Sequence, residues 1–315
     1  MFRREAGGGR NLRLPPAHPA AGSACLLLLL ILLVSACQPP ANQVTLALLG
    51  DVLLGRGVTP SRDSFAPLAA YLAAADLALA NLESPLGQAG PEVPGVYDLC
   101  APPTRAALLE DWGLDLVSIN NNHASDCASG GMETTADLLS LYGITALTTQ
   151  PVRLEINGLT LVFLAFEQVA HPLDVEQVLE AIRHARTDGA VVIVSIHWGL
   201  EYQGAPTATQ QDLAAQFAGA GADLIWGHHP HVLQPAAWIE TGRGRTLVLY
   251  SLGNALFDQG GLEDTRQSAL ALVTLAAQGV VQAQAIPFEI DVPHSLLRAA
   301  DEQTVFEVHT RLGLP

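Results

Sequence analysis

From residue 44 onward, short apolar runs rich in β-branched residues alternate with Ala- and Leu-rich stretches of helical period, the pattern of an α/β domain. The apolar runs predict strands over 44–49, 76–80, 114–119, 144–148, 153–156, 159–166, 190–196, 222–226, 233–239 and 246–251. Helices are expected over 64–75, 103–111, 131–142, 174–187 and 207–220. Asn157-Gly158, between Arg153–Ile156 and Leu159–Phe166, is a two-residue hairpin signal, so part of the pairing is antiparallel. Ala269–Ala276 and Val280–Phe288 around Gln278-Gly279 predict a second hairpin, and Asp301–Leu312 a terminal helix. Mixed pairing among this many strands implies an α/β fold of two packed mixed β-sheets flanked by helices. Residues 84–102, rich in Gly and Pro, form the longest irregular segment and a candidate lid.

Several of these runs end in side chains that bind metals. Gly50-Asp51 follows Val44–Leu49, Asn81-Leu82-Glu83 follows Asp76–Ala80, Asn121-Asn122-His123 follows Leu114–Ile119, and His197-Trp198-Gly199 closes Val191–Ile196. The densest is Gly227-His228-His229-Pro230-His231, three imidazoles in one bend after Ala222–Trp226. Imidazole is a favoured ligand for transition metals, and strand ends are where an α/β sheet presents polar groups to a ligand. Taken singly, each residue has a plainer reading. Asp51 could cap a turn, Glu83 could be a solvated loop acid, Asn122 and His123 could satisfy backbone groups, and His197 could be a satisfied core histidine. Their recurrence at strand ends points instead to one ligand cluster.

The N-terminus has the organisation of an export signal. Arg3, Arg4, Arg10 and Arg13 precede the apolar stretch Leu26–Val34, which is too short to span a bilayer comfortably, and Val34-Ser35-Ala36-Cys37 has the small-residue pattern of a lipidated cysteine. Residues 1–36 are therefore expected to be a lipoprotein signal peptide, 37–43 a tether and 44–315 the folded domain. The protein is then an exported lipoprotein anchored through Cys37 on the extracytoplasmic face of a membrane. Gln38–Gln43 reaches about 20 Å at full extension, which keeps the domain near that surface. Removing residues 1–36 takes away four of the 15 basic and one of the 31 acidic residues, leaving 11 against 30 and a net charge of −19. There is no lysine. An acidic surface without a basic stripe argues against nucleic acid as a partner and against docking on anionic lipid. Cys25 leaves with the signal peptide, so Cys100 and Cys127 remain in the exported body, where they could pair.

Taken in order, these motifs resemble the CapA-type poly-γ-glutamate capsule synthesis proteins, which have the calcineurin-like metallophosphatase fold. The resemblance covers residues 44–258 and rests on Gly50-Asp51 with Gly55-Arg56, Ala80–Glu83, Asn121–His123, His197–Gly199 with Glu201, Gly227–His231 and Tyr250–Asn254. It implies that Glu83 bridges two ions, that Asp51 and His231 hold one, and that Asn122, His197 and His229 hold the other. His123 would face the substrate as an electrophilic aid or general acid, beside Asn122. His228 and Glu201 would support the ligands from behind, though Glu201 could equally be solvated. Mixed nitrogen and oxygen ligands suit one or two ions of Mn, Fe or Zn. Arg56 is an anion anchor, whose fork grips phosphate or carboxylate, or else an ion-pair partner.

Two departures stand out. Leu53 occupies the place where metallophosphatases carry a histidine, which weakens the ion shared by Asp51 and His231. Cys127-Ala128 replaces the Tyr-Gly common in the family and leaves room for a Cys100–Cys127 disulfide. The function implied is a metal-dependent hydrolase or transferase in the biosynthesis or processing of poly-γ-glutamate or a related cell-envelope polymer. The alternative is a non-catalytic protein that holds or guides that polymer beside its synthase. A polyanion meeting a domain of −19 must in either case be gripped locally, at the metals and Arg56.

Overall fold

The computed structural model describes residues 42–90, 98–128, 131–186 and 189–315. The expected signal peptide, Cys37 and most of the expected tether lie outside the described residues. Among the described residues, no helix is long and apolar enough to cross a membrane.

Two mixed sheets stack face to face. The first places strands in the order β14-β13-β12-β1-β2-β3-β4, with β11 beside the end of β1. Its members are β1 (Val44–Val52), β2 (Leu77–Leu82), β3 (Leu116–Ser118), β4 (Thr145–Leu147), β11 (Asn254–Leu256), β12 (Gln267–Ala276), β13 (Gly279–Asp291) and β14 (Leu296–Ala299). The second runs β5-β6-β7-β8-β10-β9. It comprises β5 (Val152–Ile156), β6 (Leu159–Glu167), β7 (Val191–His197), β8 (Leu224–His228), β9 (Leu233–Thr241) and β10 (Gly244–Leu252). Strands β1 to β4 are mutually parallel, as are β6, β7, β8 and β10, whereas the expected hairpins β5-β6 and β12-β13 are antiparallel.

Central strands are buried on both faces, which is why they read as unbroken apolar runs. Along β1, Val44, Leu46 and Leu48 join Phe163, Ile193, Trp226 and Leu249 between the sheets. Ala47, Leu49 and Val52 face the other way, toward helices α1 (Ala69–Ala74), α2 (Ala106–Asp111) and α3 (Gly131–Ser140). The outer face of the second sheet is covered by α4 (Val175–Ala185) and α5 (Ala208–Ala220), through Val178, Ile182, Leu213 and Phe217. Helix α6 (Glu302–Leu312) closes the core through Val308 and Leu312. The layers are thus helix, sheet, sheet, helix.

Several expectations shift. The helix expected over 64–75 is a 3-10 helix over Arg62–Leu68 followed by α1, because Pro67 removes a backbone donor. Strands 114–119 and 144–148 contract to three residues each, and β11 and β14 are additional. In the segment 84–102, Leu86 and Ala101 form a bridge, Gly87 N–H donates to Ala101 O at 2.9 Å, and residues 91–97 lie outside the description.

Polar contacts fix the sheets against each other near the parallel strand ends. Trp226 Nε1 donates to Leu49 O at 3.0 Å, Ser195 Oγ to Ser118 Oγ at 2.8 Å, and Asn120 Nδ2 to Ala165 O at 2.9 Å. The register of β1 against β2 slips between Leu48 and Asp51, so β1 carries an extra residue there, a bulge that re-aims the side chain after it. Gly50 is required at this bulge, since a Cβ on it would lie 1.8 Å from Gly253 O. Gly50→Ala should therefore lower stability by about 3 kcal/mol, read as a reduced urea midpoint. An unchanged midpoint would show that the two backbones can separate freely.

Candidate metal centre

The parallel strands of both sheets deliver their C-terminal ends to one place. Asp51 ends β1, Asn81 and Glu83 end β2, Asn121, Asn122 and His123 follow β3, His197 ends β7, and His228, His229 and His231 complete β8 and its turn. Asp51, Asn81, Glu83, His197, His228, His229 and His231 are all buried, while Asn122 and His123 lie at intermediate depth. Glu83 Oε1 stands 3.7 Å from His197 Nε2, 3.7 Å from His231 Nε2 and 3.9 Å from His123 Nε2. Asp51 is 3.3 Å from His231 Nδ1 through Oδ2 and 3.8 Å from His228 Nδ1 through Oδ1. The turn places two non-glycine residues in the left-handed region, His229 at φ 95° and His231 at φ 58°. Tyr202 N–H holds it by donating to Pro230 O at 2.9 Å.

Buried polar atoms are ordinarily hydrogen-bonded, and this cluster departs from that rule. Asn81 Oδ1, both Glu83 oxygens, Asn122 Oδ1, His197 Nε2, His228 Nδ1 and His229 Nδ1 have no hydrogen-bond partner. All are acceptors in their ligating form, which is the donor set that a divalent cation requires. Glu83, His229 and His231 each offer a ligand atom within 4.8 Å of the other two. The residues present therefore fit a metal ion.

Burial and mutual charge set the protonation of the metal-free cluster. Burial pushes the Glu83 carboxyl up to about 8, with His231 opposing and Asp51 adding to the shift. Burial works against the charged form of His231, but the Glu83 charge and the Asp51 contact outweigh it and push it up to about 9. Burial lowers His228 and His229 to about 4, and takes His197 well below its ordinary value. For His123, burial is outweighed by the Asp126 hydrogen bond, at 2.8 Å to Nδ1, and by Glu83, so its net shift is upward.

The remaining expected residues are placed differently. On the Nε side the Arg56 fork is taken, because Nε donates to Asp258 Oδ2 at 2.6 Å and its second nitrogen binds Asp258 Oδ1, and the guanidinium lies 5.5 Å above the Phe257 ring. It borders the site as an ion-pair partner, since Asp258, 202 residues away in sequence, accepts from Nε and from one terminal nitrogen, two of the five N–H donors. Glu201 is exposed and reaches His229 and His231 through charge, with no hydrogen bond to either among the described residues. His228 Nε2 donates to Ser195 Oγ at 3.1 Å, behind the cluster. Cys100 and Cys127 form a disulfide. Leu53 is sealed in an apolar group with Val58, Leu99 and Phe257.

Sequence reasoning gave no role to Asp126 or Ser195, and took Asn81 and Asn254 only as members of their motifs. Asn81 pairs with Asp51 in the β1-β2 register and donates to its Oδ1 at 2.7 Å. The available signal was an amide inside the apolar run Leu77–Leu82, two residues before Glu83 and so on the same face. Asp126 follows His123 by three residues and fixes its ring, and His231 Nδ1 donates to Asn254 Oδ1 at 2.9 Å.

Two mixed sheets between helices, with imidazoles and carboxylates gathered at the parallel strand ends, define a metallophosphatase-like fold. The chain belongs to the bacterial capsule synthesis protein family, PGA_cap, whose profile matches residues 45–259. It is 30% identical over 281 residues to the PGA biosynthesis protein CapA of Bacillus subtilis (strain 168), covering 78% of this chain and 72% of that one. It is 28% identical over 306 residues to the capsule biosynthesis protein CapA of Bacillus anthracis, covering 85% of this chain and 73% of that one. The crystal structure of a hypothetical protein from Thermus thermophilus matches with a TM-score of 0.52 at 18% identity, over 78% of this chain and 99% of that one, a likeness of fold alone.

The titrations give a signed expectation for the metal-free protein. Glu83 is raised from 4.5 to about 8 and His231 from 6.5 to about 9, so the stability they lend is full below the ordinary values and is lost as pH rises through the raised ones. The lowered His228 and His229 act in the opposite sense, but only below their ordinary value of 6.5. Between pH 6.5 and 9 the metal-free protein should lose stability as pH rises, by at most about 1.4 kcal/mol per pH unit for each proton held. Saturation with a divalent ion should flatten that slope, and thermal unfolding across the range, with and without chelator, measures it. An equal slope in both states would mean that these protons and the ion do not compete.

Proposed function

We propose that this protein is an exported, membrane-anchored component of poly-γ-glutamate capsule or related cell-envelope polymer biosynthesis or processing, acting as a metal-dependent hydrolase or transferase. The observation that carries this reading is the group of buried, partnerless acceptors centred on Glu83, His229 and His231. The Bacillus relatives, named for PGA and capsule biosynthesis, support the biological setting. The basic leader and the small-residue approach to Cys37 support attachment through an acylated cysteine.

A divalent transition ion, of Mn, Fe or Zn type, supplies Lewis acidity toward a carbonyl or phosphoryl oxygen when bound. Glu83, His229 and His231 would hold it, with Asp51, Asn122 and His197 as the further ligands implied by the resemblance. His123 is suited to proton transfer. Its Nδ1 is fixed on Asp126 at 2.8 Å, its Nε2 faces Glu83, and its side chain keeps 18% exposure, enough to meet a substrate. With its pKa raised, the ring favours the protonated form and can donate to a leaving group. The polymer itself, and its synthase, are the partners this role implies.

A second reading, a non-catalytic holder or guide for the polymer, draws support from Leu53, which puts an apolar side chain where metallophosphatases carry a histidine. Turnover separates the two. With poly-γ-glutamate as substrate, His123→Ala should reduce the rate about 10²- to 10⁴-fold while leaving metal content unchanged, and His229→Ala should lower metal content as well. Full turnover in both variants would rule out the catalytic reading, and metal-dependent polymer binding without turnover would favour the second. Growth with a labelled fatty acid should place label on the intact protein but not on Cys37→Ser. Equal labelling of both would rule out Cys37 as the anchor.

A further inference from the structure

Two short segments meet beside His123, and neither carries a residue assigned to the metal. Residues 98–101 run past residues 126–128, and among the described residues two direct links cross between them. One is the disulfide between Cys100 and Cys127. The other lies one residue away on each side, where Leu99 N–H donates to Asp126 Oδ2 at 2.8 Å. The same oxygen accepts from His123 Nδ1 at 2.8 Å, so one carboxylate oxygen holds both the backbone of the first segment and the ring of His123.

Asp126 is not fixed by burial. Its side chain keeps 16% exposure, so water competes for its oxygens, and turning outward would release the imidazole. Leu99 N–H is the donor that draws it inward. Leu99 itself is seated from the other side, where its side chain packs with Leu53, Val58 and Phe257 and its carbonyl oxygen would lie 2.5 Å from a Cβ on Gly55. Each segment is also tied separately to residues 85–89, Ala101 through Pro85 and Gly87, and Cys127 and Ala128 through Ala89 and Gln88. Those ties hold each segment to a third and leave their mutual spacing to the cross-link. The covalent bond holds the Cα atoms of Cys100 and Cys127 4.9 Å apart, which keeps the neighbouring donor and acceptor within reach.

We propose that the Cys100–Cys127 disulfide positions His123, acting through Leu99 and Asp126, so that the site is completed by oxidation once the chain has left the cytoplasm. This rests on the export and on the proton-transfer role of His123 proposed above, and deepens both. Closure takes two electrons and two protons from the Cys100 and Cys127 thiols and passes them to the disulfide of an exchange partner, which leaves as a dithiol. Compartments outside the cytoplasm supply such oxidants, whereas the cytoplasm keeps thiols reduced. Each cysteine is only 7% exposed, so the closed bond is shielded from renewed thiolate attack, which suits a maturation step better than a reversible switch. Glu83, His229 and His231 lie outside both segments, so the ion can be held whether or not the link has formed.

The test compares the full native chain with Cys100→Ala/Cys127→Ala. Diethyl pyrocarbonate reports on His123 without any turnover, since peptide mass spectrometry follows its carbethoxylation with the exposed His171 as internal reference. Loss of the link should raise the His123 rate about 10- to 100-fold relative to His171, the change expected when a charge-assisted hydrogen bond is released. Bound metal should be unchanged, and on poly-γ-glutamate kcat should fall by a similar factor at unchanged KM. Asp126→Ala should show the same changes with the link intact, and removing the link from Asp126→Ala should add little, because both act through one contact. If the paired variant does not fold, the native chain reduced with tris(2-carboxyethyl)phosphine carries the same comparison, at a temperature where circular dichroism shows it folded. The phosphine takes oxygen from water and becomes the phosphine oxide as the two thiols form. Thiol trapping in cells should find Cys100 and Cys127 linked. Free thiols there, an unchanged His123-to-His171 ratio in a folded chain lacking the link, or effects of link and Asp126 that multiply would each overturn the inference. Absence of turnover in every form would overturn the proposed function instead, and carbethoxylation would still decide the positioning role.

Discussion

Two carboxylates wholly removed from water, at the ends of neighbouring parallel strands, are the constraint around which this molecule is organised. Taking an ionised carboxylate out of water costs several kcal/mol even after the protein relaxes, and a marginally stable domain must offset that locally. Asp51 is compensated by an amide, a backbone N–H and an imidazole. Glu83 has no hydrogen-bond partner on either oxygen, and the imidazoles nearest Oε1 stand at 3.7 to 3.9 Å, too long for hydrogen bonds. That cost is avoided by a proton on Glu83 itself, which its pKa of about 8 allows near neutrality, or offset by a cation beside it. The bulge at Gly50, the Trp226 and Ser195 contacts between sheets, and the ties on the 229–231 turn all bring these groups to one point.

Much of the scaffold was legible because burial on both faces leaves a strong trace. Residues 191–194 and 46–49 are unbroken apolar runs, and Asn157-Gly158 has the chemistry of the turn it makes. Short edge elements left no such trace. β11 and β14 are three and four residues long and exist because neighbouring strands offer them a ladder, which periodicity within a segment does not register. Pro67 was visible, yet its effect on the form of the preceding turn depended on packing under Phe65 and Trp112.

The site was legible as a set of residues and far less so as a set of relationships. Glu83, His197, His229 and His231 meet because strand ends converge, which fold-level reasoning can anticipate. The pairing of Arg56 with Asp258 could not be anticipated, since an arginine has the same pattern in sequence whether its fork is open or taken. Asn81 was hidden by its surroundings, an amide in an apolar strand that looks incidental until its neighbour across the ladder proves to be Asp51. Local sequence shows which groups are present, and the partner of each group is decided by chain brought in from elsewhere.

The backbone at His229 and His231 has a bearing on how this protein can change. Left-handed conformations at non-glycine residues store strain, of order 1 to 3 kcal/mol each, and glycine would relieve it at either position. At 231 the imidazole also compensates the buried Asp51, so only at 229, where the ring Nδ1 has no partner, does relief of strain run directly against keeping the side chain. Backbone ease and possession of the site are opposed at His229, so a descendant relaxed at that residue would tend to be one in which the site has been lost.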